Sequence, residues 1–193
     1  TKLSSLITEV AELKTAIATF RLRYDQFPGD MSDAYDYWGV SAGCTNTTAT
    51  TGAFTATTTE TGCNGDGNNL IEWDSGEFYR SWQHLSLAKA IPGTYTGQKQ
   101  STSSPYCVIG TNCPTSAFHP LSQFMITSTQ MYLAIRGPHL FFATSNASGT
   151  DNHPSKPVIS PQDAHSIDQK IDNGKPATGE IEAANGWDIN GTQ

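Results

Sequence analysis

The residues best suited to chemistry lie in a short acidic segment, residues 64–72, in the first half of the chain. The segment reads Asn-Gly-Asp-Gly-Asn-Asn-Leu-Ile-Glu, so short oxygen-bearing side chains alternate with glycines that let the backbone bend. Proteins bind hard cations such as Ca²⁺ with carboxylate and amide oxygens on loops of this kind. The sequence therefore indicates calcium as the one candidate cofactor. Its candidate ligands are Asp66, Asn68, Glu72, Asp74 and Glu77.

The match to the calcium loop of an EF-hand is partial. Asn69 stands where that loop has its invariant glycine, and Ser75 stands at the twelfth position, where a bidentate glutamate belongs. Asn-Gly and Asp-Gly are also ordinary turn formers. A turn without a bound ion is therefore the alternative interpretation of this segment.

A second pattern, at residues 39–43, matches the G-x-S-x-G motif of a nucleophile elbow, with Ser41 as the nucleophile. That motif requires a strand before the serine and a helix after it. Here a helical pattern precedes the serine and a threonine-rich loop follows it, so we expect no catalytic role for Ser41 and no enzymatic activity. The five histidines are scattered along the chain, and we expect His84 at the surface or at the rim of the core.

The four cysteines form two pairs that are close in sequence, Cys44 with Cys63 and Cys107 with Cys113. Both pairs lie among Thr, Asn, Gly and Pro residues, which is typical of disulfides that close surface loops. Four cysteines allow three connectivities, and we favour the two local pairings. Zinc bound by Cys107, Cys113 and His119 is the alternative, but these intervals exceed the usual finger spacings and no fourth ligand is near. Two disulfides predict an oxidising compartment.

Length and composition predict one domain, residues 1–193. A chain of 193 residues with 36% hydrophobic content can bury one ordinary core. The formal net charge is -7, and no block of lysine or arginine occurs, so we expect no binding to nucleic acid or to anionic lipid. No apolar run approaches the roughly 20 residues that cross a bilayer.

The longest predicted element is an amphipathic helix from Leu3 to Tyr24. Apolar residues recur there at spacings of three and four, which places them on one continuous face. Two arginines near its end and the pair Pro28-Gly29 mark its C-terminus. No capping box marks its start, so we expect residues 1–27 to be the second half of a longer helix and residues 28–193 to be the head. The apolar face comprises Leu3, Leu6, Val10, Leu13, Ile17, Phe20 and Tyr24.

Two further helices and an antiparallel sheet complete the predicted α+β fold. We expect a helix at about residues 75–90, with Asp74 and Glu77 as its capping box and a single buried stripe. A second is expected after Ser160, with Pro161 at its first position, an apolar face of Ala164, Ile167 and Ile171, and Gly174 as its stop. Alternation and turn residues predict strands at 124–128, 131–135 and 140–143, and a short one at 179–183.

Several segments together resemble the type IV pilin and type II secretion pseudopilin family. The end of the long helix and the Phe-Pro-Gly-Asp turn after it are similar to the family's helix and its following turn, and two later segments are similar to regions of many pilin-like proteins. The resemblance therefore extends over most of the chain. The segments are residues 16–20, Tyr24, 27–30, Ala34, 37–38, 77–97 and 163–179.

The resemblance implies a long N-terminal helix packed on an antiparallel sheet and a structural role in a pilus or pseudopilus. The family's peptidase site and membrane-spanning half-helix would precede Thr1. The partners implied are copies of the chain or related pilins, and the implied location is the inner membrane before assembly and an extracytoplasmic filament afterwards. The residues implied in assembly are Leu3, Leu6, Ile7, Val10, Leu13, Ile17 and Phe20.

A secreted or filament-tip adhesion module is the alternative function. Its contacts would come from the threonine-rich disulfide loop or from Trp38, Trp73 and Trp82. Tryptophans are more often buried in a core than exposed for binding, which weighs against the second possibility.

Overall fold

The chain is an α+β protein, seen here in a computed structural model. The structure describes residues 2–39, 45–48, 62–72, 76–98, 107–128, 137–145 and 154–183. The helices are α1 (Lys2–Tyr24), α2 (Ala34–Trp38), α3 (Glu77–Leu87) and α4 (Pro161–Ile171). The strands are β1 (Thr45–Thr48), β2 (Gly62–Asn64), β3 (Ser122–Thr127), β4 (His139–Ser145) and β5 (Pro154–Lys156).

The predicted N-terminal helix is confirmed as α1. Leu6, Leu13 and Phe20 lie seven residues apart, about two helical turns, and all three are buried. The helix ends after Tyr24, where Asp25 takes a positive φ of 56° and the turn with Pro28 follows. At about 1.5 Å per residue its 23 residues extend over roughly 35 Å.

The start of α3 differs from the prediction. Gly76 is the N-cap with φ 80° and has no side chain to cap the helix, and Glu77 is the first helical residue, so the predicted capping box is wrong. Asp74 lies outside the described residues. Every residue from Glu77 to Ser86 is buried, so the helix crosses the interior and does not present a single apolar stripe. The polar residues of α3 therefore lie inside the protein.

The main sheet is antiparallel, with β4 between β3 and β5. The β3–β4 register extends from Ser122 opposite Thr144 to Thr127 opposite His139. These strands confirm the predicted strand at 124–128 and its return at 140–143, while the strand predicted at 131–135 lies outside the described residues. The parallel pair β1–β2 was not predicted, because a threonine-rich segment carries no apolar alternation.

The last helix begins as predicted. Ser160 caps α4, since its hydroxyl accepts the Asp163 N–H at 3.1 Å, and Pro161 follows at the first position. The predicted apolar face is only partly correct, because Ile167 is buried but Ile171 is 41% exposed. Residues 179–183 form no strand, so that prediction is wrong. They fold back on the end of α4, where the Ile181 N–H donates to a carboxylate oxygen of Asp172.

One hydrophobic core joins residues of α1, α3, β3 and α4. Among the described elements, α1 makes its more extensive contacts with α3 and α4, and α3 in turn packs on β3. None of the helices within the described ranges combines the length and apolar character needed to cross a bilayer.

Candidate metal centre

Three carboxylates from distant parts of the chain converge at one place. Asp30, Asp66 and Glu77 each place an oxygen within 4.8 Å of the oxygens of the other two. Asp30 belongs to the turn after α1, Asp66 to the acidic segment 64–72, and Glu77 to the first turn of α3. The site is therefore built by tertiary folding and not by one calcium-binding loop.

Asp30 is held in the turn that follows α1, and its side chain is almost fully buried, with 2% exposed. The preceding Gly29 has φ +97°, and a Cβ there would overlap the backbone at Glu77 and the hydroxyl of Ser81. Oδ2 of Asp30 accepts the Asn69 N–H at 2.9 Å. Oδ1 is buried and has no hydrogen-bond partner in the described structure. One oxygen of a buried carboxylate is thus left uncommitted.

The acidic segment lies directly on the backbone of this turn. The Gly65 N–H donates to the Met31 carbonyl at 2.8 Å, and the Gly67 N–H donates to the Asp30 carbonyl at 3.0 Å. These bonds place Asp66 between two anchored glycines, with its side chain exposed to solvent. The Asp66 carboxylate accepts the backbone N–H and the amide N–H of Asn68, both at 3.0 Å.

Glu77 closes the site from the side of α3, and its side chain is fully buried. Its Oε1 accepts the Asp66 N–H at 3.1 Å, and its Oε2 accepts the Glu72 N–H at 3.0 Å. The glutamate therefore binds both sides of the acidic segment.

The electrostatics of the site disfavour three negative charges. Burial raises the pKa of Asp30 to about 6, and the charge of Asp66 adds to this increase. Burial also raises the pKa of Glu77 to about 7, and the charges of Asp30 and Asp66 add to it. Among the described residues, no lysine, arginine or histidine forms an ion pair with any of the three. The carboxylates therefore repel each other, and no ion pair within the described part of the chain offsets this repulsion.

The predicted ligand set is partly brought together. Asp66 and Glu77 belong to the cluster, and Asp74 lies outside the described residues. The side-chain amide of Asn68 donates to Asp66 and accepts the Leu70 N–H at 2.8 Å. Glu72 is not part of the carboxylate cluster, and its N–H donates to Glu77. Sequence reasoning missed Asp30, although its Pro-Gly-Asp turn was recognised for another reason.

His84 of α3 secures the turn that carries Asp30, and the expectation of a surface position is wrong. The imidazole is fully buried, and its Nδ1 accepts the Gly29 N–H at 2.9 Å. Nε2 must therefore carry the proton, and it donates to the Cys63 carbonyl at 2.7 Å. Burial lowers the pKa of His84 to about 4, and the charge of Arg80 lowers it further. Protonation of Nδ1 would set two N–H groups against each other.

This arrangement predicts a pH dependence of stability. The unfolded pKa near 6.5 exceeds the folded value of about 4, so the unfolded state binds the proton first and stability falls as pH drops from 6.5 towards 4. In His84→Gln the amide supplies one acceptor and one donor but does not titrate. Over this pH interval we expect the free energy of unfolding of the wild type to fall by up to about 3 kcal/mol relative to that of His84→Gln. Urea unfolding at several pH values measures this difference. Parallel pH profiles would contradict the assignment.

The disulfide between Cys107 and Cys113 is confirmed, with Cα atoms 5.7 Å apart. These two sulfurs are therefore not thiolate ligands, which removes the zinc alternative. Cys63 is also disulfide-bonded, whereas Cys44, its predicted partner, lies outside the described residues. Ser41 lies outside them as well.

Comparison with known proteins gives no relative from which a function can be transferred. The chain matches no protein-family model, no curated protein and no solved structure.

Proposed function

We propose that this chain is a structural subunit of a type IV pilus or type II secretion pseudopilus and assembles through α1 into an extracytoplasmic filament. The proposal requires no catalysis. Its partners are copies of the chain or related pilins, and its location is the inner membrane before assembly. The resemblance to the pilin family supports it, on residues 16–20, Tyr24, 27–30, Ala34, 37–38, 77–97 and 163–179.

The observation that carries the proposal is the surface of α1. Beside the buried row of Leu6, Leu13 and Phe20 runs a second row with the same spacing of seven residues. This second row consists of Leu3, Val10 and Ile17, which pack on the core but remain partly exposed. Ile7 is covered to the same intermediate degree. The single chain thus covers only part of the apolar surface of its longest helix.

The surface next to this row suits close approach of a second helix. Ala11 and Ala18 are exposed, and their small side chains allow a neighbouring backbone to come near. Leu22 lies one turn beyond Ala18 and is 89% exposed. A helix of about 35 Å with one side shared between its own head and adjacent copies is what a helical filament core requires.

Introducing a charge on the shared row is expected to abolish filaments. We select Val10→Glu, because Leu13 is buried within the chain and its replacement would also unfold the head. Val10 is half-buried, so the head of the variant should still fold. Burial of the new carboxylate against a second copy is costly and should prevent assembly. Sheared surface fractions and electron micrographs of cells expressing the full-length gene measure the result.

Thr19→Glu is the matched control, since Thr19 is exposed on the opposite side of α1. Filaments should be normal in this variant, and both variants should show the far-UV circular dichroism spectrum of wild type. Normal filaments from Val10→Glu would refute assembly through this row.

The alternative adhesion function loses one of its proposed contacts. Trp82 is fully buried in α3, so it does not contact an outside surface. Trp38 packs on the rings of Phe20 and His84 at centroid distances of 6.3 and 5.4 Å. Trp73 and most of the threonine-rich loop lie outside the described residues. No described contact favours adhesion over assembly.

A further inference from the structure

We propose that Asp30, Asp66 and Glu77 bind one Ca²⁺ ion that joins the turn after α1, the acidic segment 64–72 and the start of α3. No single loop supplies these ligands, because Asp30 lies in a turn more than thirty residues before the other two. It does not depend on assembly into filaments.

The size of the cluster suits calcium. Ca²⁺ binds oxygens at about 2.3–2.6 Å, so two ligands of one ion lie at most about 5 Å apart. The three carboxylate oxygens lie within 4.8 Å of one another. Mg²⁺ binds at about 2.0–2.1 Å and holds its ligands within about 4.2 Å, in a stricter octahedron. The cluster therefore fits one Ca²⁺ ion, whose flexible coordination also suits ligands from three separate segments better than the strict octahedron of Mg²⁺.

The uncommitted oxygen of Asp30 is the second observation that points to a ligand. Oδ1 is buried without a hydrogen-bond partner, although the residue is only 2% exposed. A buried carboxylate oxygen without a donor costs free energy unless a cation or a proton satisfies it. The other oxygen of Asp30 already accepts the Asn69 N–H, so Oδ1 remains available for the ion.

The charge of the cluster and its exposure to solvent also favour a bound cation. The three carboxylates have no basic partner among the described residues, and a divalent cation supplies the missing positive charge. Asp66 is exposed, so the ion reaches the site from solvent and water completes its coordination of six to eight oxygens. Bound Ca²⁺ would then hold together three segments that otherwise repel one another.

The test is a calcium titration of the folded chain after treatment with a chelator. Isothermal titration calorimetry with Ca²⁺ alone should show one site. At a free Ca²⁺ concentration of about 100 times its Kd, the thermal midpoint should rise by about 5–10 °C for a chain of this size. The same concentration of Mg²⁺ should raise it by less than half as much.

Two variants identify the ligands. Asp66→Asn keeps an acceptor for the Asn68 N–H and changes an exposed side chain, so it should fold and lose the calcium shift. Asp30→Asn should lose the shift as well. Asp25→Asn is the matched control, because it also removes one exposed carboxylate, it lies outside the cluster, and asparagine tolerates its positive φ.

The outcomes separate binding from a purely structural cluster. Loss of the calcium shift in Asp66→Asn and Asp30→Asn, with the full shift in Asp25→Asn, supports the site. Absence of a shift in wild type overturns the proposal, and so does an undiminished shift in both cluster variants that show the circular dichroism spectrum of the folded protein.

Discussion

Replacing His84 by alanine is expected to destabilise the folded chain by about 3–5 kcal/mol, which is a large part of the total stability of a typical domain. The change removes both hydrogen bonds of a fully buried imidazole. It leaves the N–H of Gly29 and the carbonyl of Cys63 without these partners, and each such loss costs about 1–3 kcal/mol. The cavity left by the ring adds to that cost.

Urea unfolding at pH 7.5 measures this effect, with two comparisons. His165→Ala removes an exposed histidine from α4 and should change stability by no more than about 0.5 kcal/mol. His84→Gln should recover part of the loss, since its amide restores one acceptor and one donor. If His84→Ala were as stable as His165→Ala, the two hydrogen bonds would not hold the turn after α1.

The elements that could be predicted from sequence are those with local signals. α1 has a long apolar repeat, and α4 has Ser160, Pro161 and Asp163 in the order that begins a helix. β3 and β4 have apolar residues between turn residues. Each of these signals lies within the element itself, so no knowledge of the remaining chain was needed.

α3 shows why the other predictions failed. Its sequence has two charged residues, a glutamine and a histidine outside the apolar stripe, yet the structure buries them all. Arg80 donates to the carbonyl of Gly62 in β2 at 2.7 Å, and His84 accepts the N–H of Gly29 in the turn after α1, so both partners are distant backbone groups. A periodic pattern gives the side of a helix that is apolar, but it does not show that the polar side is also covered.

The candidate site divides in the same way. Asp66 and Glu77 were predicted because they lie in or near one acidic segment. Asp30 lies 36 positions before Asp66, and only the packing of the segment on the turn after α1 brings the two together. The Pro-Gly-Asp turn itself is visible in the sequence. The bond from the Asn69 N–H to the Asp30 carboxylate joins residues that lie too far apart in sequence for a spacing rule to predict it.

Replacing Gly65 by alanine is the change expected to separate these two parts of the site. A Cβ at this position would overlap the backbone of Asp30 and the carbonyl oxygen of Gly29. Backbone atoms in a buried turn do not move aside as the end of a side chain does, so the acidic segment must shift. We expect a loss of about 2–4 kcal/mol in stability and loss of the calcium response, because Asp66 moves away from Asp30.

Gly110→Ala is the control for this prediction. A Cβ there has no neighbour within 4 Å, and its φ of +80° costs alanine about 1 kcal/mol. Chemical unfolding and calcium titration of both variants distinguish the effects. A Gly65→Ala variant with wild-type stability and an intact calcium shift would show that close contact between the two segments is not required. Loss of both in Gly65→Ala alone would show that one glycine positions the acidic segment on the turn, and so places the carboxylates within reach of one ion.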